Sequence, residues 1–323
     1  MKLYPLKFTP IFSYRIWGGE KLKTELNKKY TLDSIGESWE ISDIDGSETV
    51  VFEGDLKGRT LKKIIKDYKH HFLGKHVYNT FGESFPLLIK FIDAKTPLSI
   101  QVHPSNELAR ERHNSFGKTE MWYVMQAEEN ANLIVGFNQE LEKKTYQAHL
   151  ENGSLTEVLN TEKVAEGDAF YIPTGRVHAI GAGVLLAEIQ QTSNITYRIF
   201  DYDRVDKLTG EKRELHNDLA IDAIDFKSYE YYKTSYNSKV NTTNELIFSP
   251  YFKTNIINVT GEIDKNYSDL DSFVIFICVD GSLDMVCDAK TITLTKGETL
   301  LIPAVINVLK LKAEHAKIIE VYL

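Results

Sequence analysis

Four side chains in the first two thirds of the sequence are of types that bind metal ions in proteins. They are Gln101, His103, Glu120 and His178. Two imidazoles with a carboxylate and an amide, and without a thiolate, form a set that suits Zn²⁺, Fe²⁺ or Mn²⁺ and leaves room for water or substrate. Each residue alone has an ordinary structural explanation, so the prediction of a metal site rests on the four together.

The first two of these residues lie on a segment that alternates like a β-strand. In TPLSIQVHPS, residues 96–105, Ser99, Gln101 and His103 share one face and the aliphatic residues share the other. The aliphatic face predicts packing on a core. The polar face either lines what the sheet encloses or faces solvent, and this segment alone leaves both interpretations open.

A second strand-like segment, GKTEMWYVM at 117–125, places Lys118 and Glu120 on the face that also carries Trp122. A glutamate between such neighbours is costly to bury without a cation or a hydrogen-bond partner. His178 lies further on, in IPTGRVHAIGAG, just after a Pro-Thr-Gly turn. These positions fit a site inside a β-rich unit, and they also fit strands at the surface.

Arg198 is the cation that the downstream sequence singles out. It follows a Ser-Asn turn and is flanked by Tyr197 and Ile199. Its planar guanidinium would offer fixed donors to an anionic or enolate-like oxygen. On local sequence, a surface ion pair with Asp201 or Asp203 is the alternative explanation.

The chain that carries these residues has the composition of a folded protein. Its 323 residues are 42% hydrophobic and 26% charged, which excludes a disordered chain. The net charge of −8 argues against broad electrostatic binding to nucleic acid or to anionic membranes. Apolar runs such as FPLLI are far shorter than the ~20 residues of a membrane helix, and the N-terminus has no apolar region typical of a secretory signal. We expect a cytoplasmic protein.

Most of the sequence alternates with period two in short runs, which predicts a mainly β fold. Helical periodicity is predicted near 59–74, 105–113 and 215–225. A stretch at 227–244, rich in Tyr, Ser, Thr, Asn and Lys, indicates a link between two units. We therefore predict a first domain that holds the site at 1–235 and a smaller β domain at 236–323.

An internal repeat indicates how the strands are arranged. GDAFYIP at 167–173 is echoed by GETLLIP at 297–303. Two such echoes predict two related antiparallel β-barrels. His178 stands five residues after the first proline and Val308 stands five residues after the second. We therefore expect one metal site, in the first barrel.

The two cysteines lie on either side of Asp280-Gly281, a dipeptide typical of a hairpin turn. In that hairpin Cys278 would face Leu283 and not Cys287. We therefore expect no disulfide between the two cysteines.

Longer stretches around these residues carry a family resemblance. The stretches are QVHP at 101–104, GKTEMWYV at 117–124, GDAFYIPTGRVHAIGAG at 167–183 and EIQQTSNITYRIFDYDR at 188–204, with RIWGG at 15–19 and GESWEIS at 36–42 nearer the N-terminus. Together they resemble the type I phosphomannose isomerases, the zinc-dependent mannose-6-phosphate isomerases of the cupin superfamily. The similarity is greatest to the short bacterial form.

The resemblance implies two cupin-like jelly rolls with a small helical insertion, and a second barrel that is structural and has no metal site. It implies one Zn²⁺ per chain, held by Gln101, His103, Glu120 and His178. It also implies that Arg198 is the catalytic arginine and that Lys118 lies in the active site. The implied reaction interconverts mannose 6-phosphate and fructose 6-phosphate, with a small sugar phosphate as the partner and neither nucleic acid nor membrane.

An aldose–ketose isomerisation moves a proton between two carbons through an enediol and therefore needs a general base. Glu188 and Glu40 are candidates by residue type. Two other functions fit the same residues. A non-haem iron cupin oxygenase also uses two histidines and a carboxylate, and would differ in iron content and oxygen consumption. A non-catalytic sugar-binding cupin would differ in having no turnover.

Overall fold

Short antiparallel strands make up most of the molecule, and the computed structural model describes residues 2–288 and 290–323. The strands of the N-terminal part are β1 (Phe8–Thr9), β2 (Ile11–Gly19), β3 (Ile35–Ile41), β4 (Asp43–Ile44), β5 (Ser47–Glu48), β6 (Val50–Val51), β7 (Leu87–Ala94), β8 (Ile100–Val102), β9 (Glu120–Ala127), β10 (Asn132–Phe137), β11 (Leu159–Lys163), β12 (Ala169–Ile172), β13 (His178–Ile180), β14 (Val184–Gln191), β15 (Tyr197–Phe200) and β16 (Lys233–Thr234). The strands of the C-terminal part are β17 (Asn244–Phe248), β18 (Lys253–Asn266), β19 (Val274–Cys287), β20 (Lys290–Thr295), β21 (Thr299–Ile302) and β22 (Val308–Tyr322). The helices are α1 (Lys21–Thr24), α2 (Leu61–Tyr68), α3 (His70–Leu73), α4 (Lys75–Phe81), α5 (Asn106–His113), α6 (Lys143–Glu151) and α7 (Asn217–Ala220), with a 3₁₀ turn at Leu155–Val158.

Two facing sheets form the first barrel. One has the strand order β16-β12-β9-β14-β7-β2-β3 and the other has the order β11-β10-β13-β8-β15, with antiparallel neighbours. The inner faces meet in a core that contains Trp122 and Phe170 from one sheet and Leu133 from the other. Met121 and Tyr123, which alternate with Trp122 along β9, lie in a different core. The alternation predicted for this strand is therefore confirmed.

The second barrel repeats this arrangement with longer strands. Its sheet has the order β17-β18-β22-β19-β20, and β21 also pairs with β19. In both barrels the repeated motif forms a four-residue strand, β12 or β21, which pairs with the start of β9 or β19. Gly167 and Gly297 open the two motifs with φ of +92° and +86°, a conformation that glycine adopts without strain. The predicted mainly β fold of two related antiparallel barrels is confirmed.

The hairpin predicted at Asp280-Gly281 is wrong. β19 runs through both residues, and its pairing with β22 shifts register there. Gly281 has φ of +69°, and a Cβ at this position would lie 2.2 Å from the carbonyl oxygen of His315. The glycine therefore permits a β-bulge where the sequence predicted a turn, because both features require a positive φ. Cys278 and Cys287 are buried and free.

The two barrels share a hydrophobic core, which also takes up the helical insertion. This core contains Phe91 and Ile189 from the first barrel, Ile275 and Ile319 from the second, and Ile65 from α2. Each unit thus completes its core against the other. The boundary between residues 235 and 236 stays a prediction.

Helices lie in each of the three segments for which they were predicted. α2 begins after Thr60, whose hydroxyl accepts a hydrogen bond from the backbone N–H of Lys63 at 3.3 Å. The predicted segment ends near Gly74, but α4 resumes directly after this glycine. α7 is a single turn, and α1 and α6 were not predicted. In the described ranges no helix has the length and apolar character needed to cross a bilayer.

Candidate metal centre and its pocket

Three neighbouring strands of one sheet place functional side chains in a row. Gln101 on β8 pairs with His178 on β13 to one side and with Arg198 on β15 to the other. Because residues paired in this way project to the same face, all three belong to one wall of the barrel. His103 follows β8 on the same face as Gln101, which confirms the predicted polar face. Glu120 begins β9 on the opposite sheet.

His103, Glu120 and His178 converge in the barrel interior. Their ligand atoms all lie within 4.8 Å of one another. His103 Nε2 is 3.3 Å from Glu120 Oε1, and His178 Nε2 is 3.7 Å from Glu120 Oε2. The amide of Gln101 lies 3.3 Å from His178 Nε2. The structure thus brings together all four side chains that the sequence predicted as metal ligands.

Backbone carbonyls fix the tautomer of both histidines. His103 Nδ1 donates to the carbonyl oxygen of Ile195 at 2.9 Å, and His178 Nδ1 donates to that of Arg176 at 2.8 Å. With the proton on Nδ1, the lone pair of each Nε2 faces the centre of the cluster. Burial lowers the pKa of both imidazoles, to about 3 for His103, where the charge of Lys118 adds to the effect. Neutral imidazoles of this kind are the form that binds metal.

Glu120 supplies the negative charge of the cluster. Its side chain is fully buried, and burial alone would raise its pKa, but the charge of Lys118 and the contacts with His103 hold the pKa well below its usual range. Oε2 is buried and has no hydrogen-bond partner among the described residues. A buried carboxylate oxygen of this kind needs a cation, so the donor set fits a metal ion.

Lys118 lies against the same cluster. Its ammonium contacts Glu120 Oε1 and is 3.1 Å from His103 Nε2. The lysine side chain is buried and lines the pocket beside the cluster. The point where His103 and Glu120 meet therefore accepts a positive charge, here the ammonium of Lys118.

A polar pocket of about 520 Å³ opens beside the cluster. Gln101 and Lys118 form its inner end, and Trp17, Trp39 and Trp122 contribute aromatic walls. Its charged lining residues are Arg15, Lys90, Lys118, Arg198, Arg213, Glu37, Glu188 and Asp206. Cations outnumber anions in this lining although the chain as a whole is acidic, which suits an anionic small molecule.

Arg198 lines this pocket and is not the surface ion pair that local sequence left open. Asp201 accepts hydrogen bonds from Arg204 and Arg213, and Asp203 pairs with Lys212. Arg198 instead donates through Nη1 to the carbonyl oxygen of Glu214 at 2.7 Å. Its Nε is buried without a partner in the described structure, so the guanidinium keeps donors available for a ligand.

The two carboxylates named as candidate bases lie in different places. Glu188 lines the pocket, where its oxygens accept from Lys90 Nζ at 3.1 Å and from Trp122 Nε1 at 2.9 Å. Glu40 is buried against Lys28 Nζ at 2.6 Å and does not line the pocket. Burial raises the pKa of Glu40, with the charge of Lys28 acting in the opposite direction.

Sequence analysis missed part of the pocket wall. Glu37 on β3 accepts from Arg15 Nη2 at 2.8 Å and from Trp39 Nε1 at 2.8 Å, and Lys90 on β7 reaches the same pocket. Arg15 and Glu37 belong to the RIWGG and GESWEIS stretches, which carried the resemblance without a chemical role. Arg213 lies in an irregular loop with no motif that marks it.

A jelly-roll barrel that buries two histidines and a glutamate against one another is a cupin with a candidate metal site. Residues 6–136 match the family model described as phosphomannose isomerase type I, catalytic domain, and residues 241–323 match mannose-6-phosphate isomerase, cupin domain. The chain therefore joins a cupin fold to the sequence features of one enzyme family in both barrels.

Individual relatives lead to the same family. The mannose-6-phosphate isomerase ManA of Bacillus subtilis is 35% identical over 318 residues, which are 97% of either chain. The mannose-6-phosphate isomerase of Streptococcus mutans is 32% identical over 91% of this chain and 90% of its own. The crystal structure of a mannose 6-phosphate isomerase from B. subtilis superposes with a TM-score of 0.91 at 31% identity, covering 99% of this chain and all of that one. The chain belongs to the type I phosphomannose isomerases.

Proposed function

We propose that this protein is a zinc-dependent isomerase that interconverts mannose 6-phosphate and fructose 6-phosphate through an enediol. The observation that carries the proposal is the buried cluster of His103, Glu120 and His178, which adjoins a cation-rich pocket through Gln101 and Lys118. An anionic sugar that enters such a pocket meets Gln101 and Lys118, which border the cluster. The family to which the chain belongs supports the same substrate.

Gln101, His103, Glu120 and His178 would hold the zinc ion. When bound there, zinc supplies a Lewis acid that polarises a substrate oxygen. The ligands offer only nitrogen and oxygen donors, and the unpartnered Glu120 Oε2 leaves a carboxylate oxygen available for the ion.

The remaining chemistry is assigned to three side chains of the pocket. Glu188 takes the proton from one carbon of the substrate and returns it to the next, since it is the candidate base that lines the pocket. Arg198 donates hydrogen bonds to the enediolate oxygen through the nitrogens it leaves free. Lys118, at the inner end, places a positive charge beside the reacting oxygens.

The test is an isomerisation assay with mannose 6-phosphate, run with and without a chelator and repeated with Arg198→Ala. We expect the chelator to abolish turnover, zinc to restore it, and Arg198→Ala to lower kcat by about 10²- to 10³-fold. Arg112→Ala is the matched control, because Arg112 forms a surface pair with Asp222 and does not line the pocket.

Failure of the folded, zinc-loaded protein to isomerise mannose 6-phosphate would contradict the proposal. Bound iron together with oxygen consumption in the same preparation would instead support the iron oxygenase hypothesis. Turnover itself excludes the hypothesis of a non-catalytic sugar-binding cupin.

A further inference from the structure

Three guanidinium groups meet in the pocket from three separate parts of the first barrel. Arg15 comes from β2 in one sheet, Arg198 from β15 in the other, and Arg213 from the loop after β15. Burial lowers the pKa of Arg198, and the positive charges of Arg213 and Arg15 add to this effect while Asp201 opposes it. Arg213 and Arg15 are therefore each close enough to Arg198 to repel its charge.

Each guanidinium is held in place by part of its donor set. Arg213 donates through Nε to Asp201 Oδ2 at 2.8 Å and through Nη2 to the other oxygen of that carboxylate. Arg15 donates through Nη1 to the carbonyl oxygen of Tyr14 at 2.9 Å and through Nη2 to Glu37. Within the described chain, Arg213 Nη1, Arg15 Nε and Arg198 Nη2 make no hydrogen bond.

Fixed guanidinium groups with unused N–H groups are suited to binding an oxyanion with several acceptor oxygens. Holding the donors in place before binding lowers the entropy cost of forming the complex. Two carboxylates, Glu37 and Asp201, serve as anchors for the arginines. A third, Asp206, accepts from the Tyr14 hydroxyl at 3.1 Å. The anchors leave the pocket with more cations than anions, so an incoming dianion is favoured.

The pocket extends along the sheet from Gln101, beside His178, to Arg198. His178, Gln101 and Arg198 stand on three adjacent strands, and two strand spacings place the Cα atoms of His178 and Arg198 about 10 Å apart. In a hexose 6-phosphate the reacting carbons C1 and C2 and the phosphate lie at opposite ends of the molecule. When C1 and C2 face the metal ligands, the phosphate points away from them.

We propose that Arg15 and Arg213 form the phosphate subsite of this pocket. The assignment rests on the proposed function for the identity of the sugar, and on the placement of the arginines for the phosphate. It makes the two arginines binding residues, distinct in role from Arg198, which acts on the reacting end.

Arg15→Gln and Arg213→Gln test this subsite, with Arg112→Gln as the control for the loss of one positive charge elsewhere. The measurements are KM and kcat for mannose 6-phosphate and, by calorimetry on the zinc-loaded protein, the Kd for inorganic phosphate. Each subsite variant is expected to raise KM and the phosphate Kd by about 10- to 100-fold, because a charge-assisted hydrogen-bond pair is lost. A change of kcat smaller than that of KM separates binding from catalysis.

The two variants lie on different elements, so a folding defect in one leaves the other informative. Unchanged KM and phosphate Kd in a folded subsite variant would overturn the subsite, even if the wild type isomerises the sugar. If the wild type does not isomerise mannose 6-phosphate but its phosphate binding still depends on both arginines, the subsite stands and the proposed reaction fails.

Discussion

The two barrels have the same strand pairing, so their interiors can be compared position by position. In the second barrel the long strand β22 lies between β18 and β19. Two shorter strands take its place in the first barrel: β13 lies between β8 and β10, and β14 lies between β7 and β9. The repeated motif occupies β12 in the first barrel and β21 in the second. Differences between equivalent side chains therefore report on function and not on topology.

All four predicted metal-ligand positions differ between the barrels. Gln101, His103, Glu120 and His178 correspond to Asn266, Ser268, Val274 and Val308. Val274 is buried in the second core and Val308 is 63% exposed. Asn266 Oδ1 accepts hydrogen bonds from the backbone and the hydroxyl of Ser268. The second barrel thus offers neither a charged ligand nor an imidazole at these positions.

A buried glutamate is common to both barrels. Glu188 pairs with Trp122 across β9, and Glu320 pairs with Phe276 across β19. Glu188 faces the pocket, whereas Glu320 is enclosed by Tyr267, by Lys265 Nζ at 2.7 Å and by Asn255 Nδ2 at 2.7 Å. Burial and the Glu320 carboxylate raise the pKa of Tyr267 well above its usual value, so its hydroxyl remains a donor. The same position is open to a ligand in one barrel and filled in the other.

Exchanging the residues at one equivalent position gives the largest expected effect. We expect His178→Val to lose zinc and to lower kcat by about 10³-fold or more, since both metal binding and its Lewis acidity are impaired. Val308→His should bind no second zinc ion, because its neighbour Val274 supplies no ligand. Elemental analysis and steady-state kinetics of both variants provide the measurement.

Either of two results would break the comparison. One is a second zinc ion bound by Val308→His, and the other is a zinc-loaded, fully active His178→Val protein. The first would mean that the second barrel retains a site, and the second that the cluster is not the metal centre.

Neutralising the shared glutamate in each barrel is the next largest test. Glu188→Gln leaves the buried Lys90 without this carboxylate, and Glu320→Gln does the same to the partly buried Lys265, so both should lower the free energy of unfolding by about 3 kcal/mol. Only Glu188→Gln should lower kcat, by about 10²- to 10⁴-fold, as expected for a general base. Urea unfolding and kinetics are measured on the same preparations. Equal kcat values for the two variants would remove Glu188 from the reaction.

The polar row of the first barrel could be predicted from sequence because period-two spacing fixes which strand residues share a face. This rule placed Gln101 and His103 on one face and left open whether that face is interior or exposed to solvent. Grouping them with Glu120 rested on their ligand types and on the family resemblance. The expectation that the second barrel has no metal site followed from the repeat, which aligns His178 with Val308. Patterns within one strand therefore selected the candidate metal ligands, and the structure shows that these side chains lie together.

Features that depend on contacts between distant segments could not be predicted in this way. Asp280-Gly281 has the sequence of a hairpin turn, and the pairing with β22 decides that it is a bulge. Arg213 and Arg15 line the same pocket although they lie far apart in the sequence, and local sequence gives no sign of this. Glu188 and Glu40 are the same residue type, and only packing separates the pocket residue from the buried ion pair.

The smallest of the expected effects concerns stability and its dependence on pH. Burial alone would raise the pKa of Glu37, but the positive charges of Lys90 and Arg15 and the hydrogen bond from Trp39 outweigh burial and lower the pKa to about 2. Ionised Glu37 therefore stabilises the folded state at pH values above its unfolded pKa of about 4.3, and this stabilisation is lost as the pH falls toward 2.

Replacing Glu37 tests whether the charged wall of the pocket, a feature of the first barrel, contributes to folding as well as to binding. At pH 7, Glu37→Gln should lower the free energy of unfolding by on the order of 3 kcal/mol, and the difference from wild type should shrink as the pH falls below about 4.3. Urea unfolding at pH 7, 5 and 3.5 measures it, with the exposed Glu53→Gln as control. A difference that stays constant over this range would mean that the lost stability comes from packing and not from the attraction of ionised Glu37 to Lys90 and Arg15.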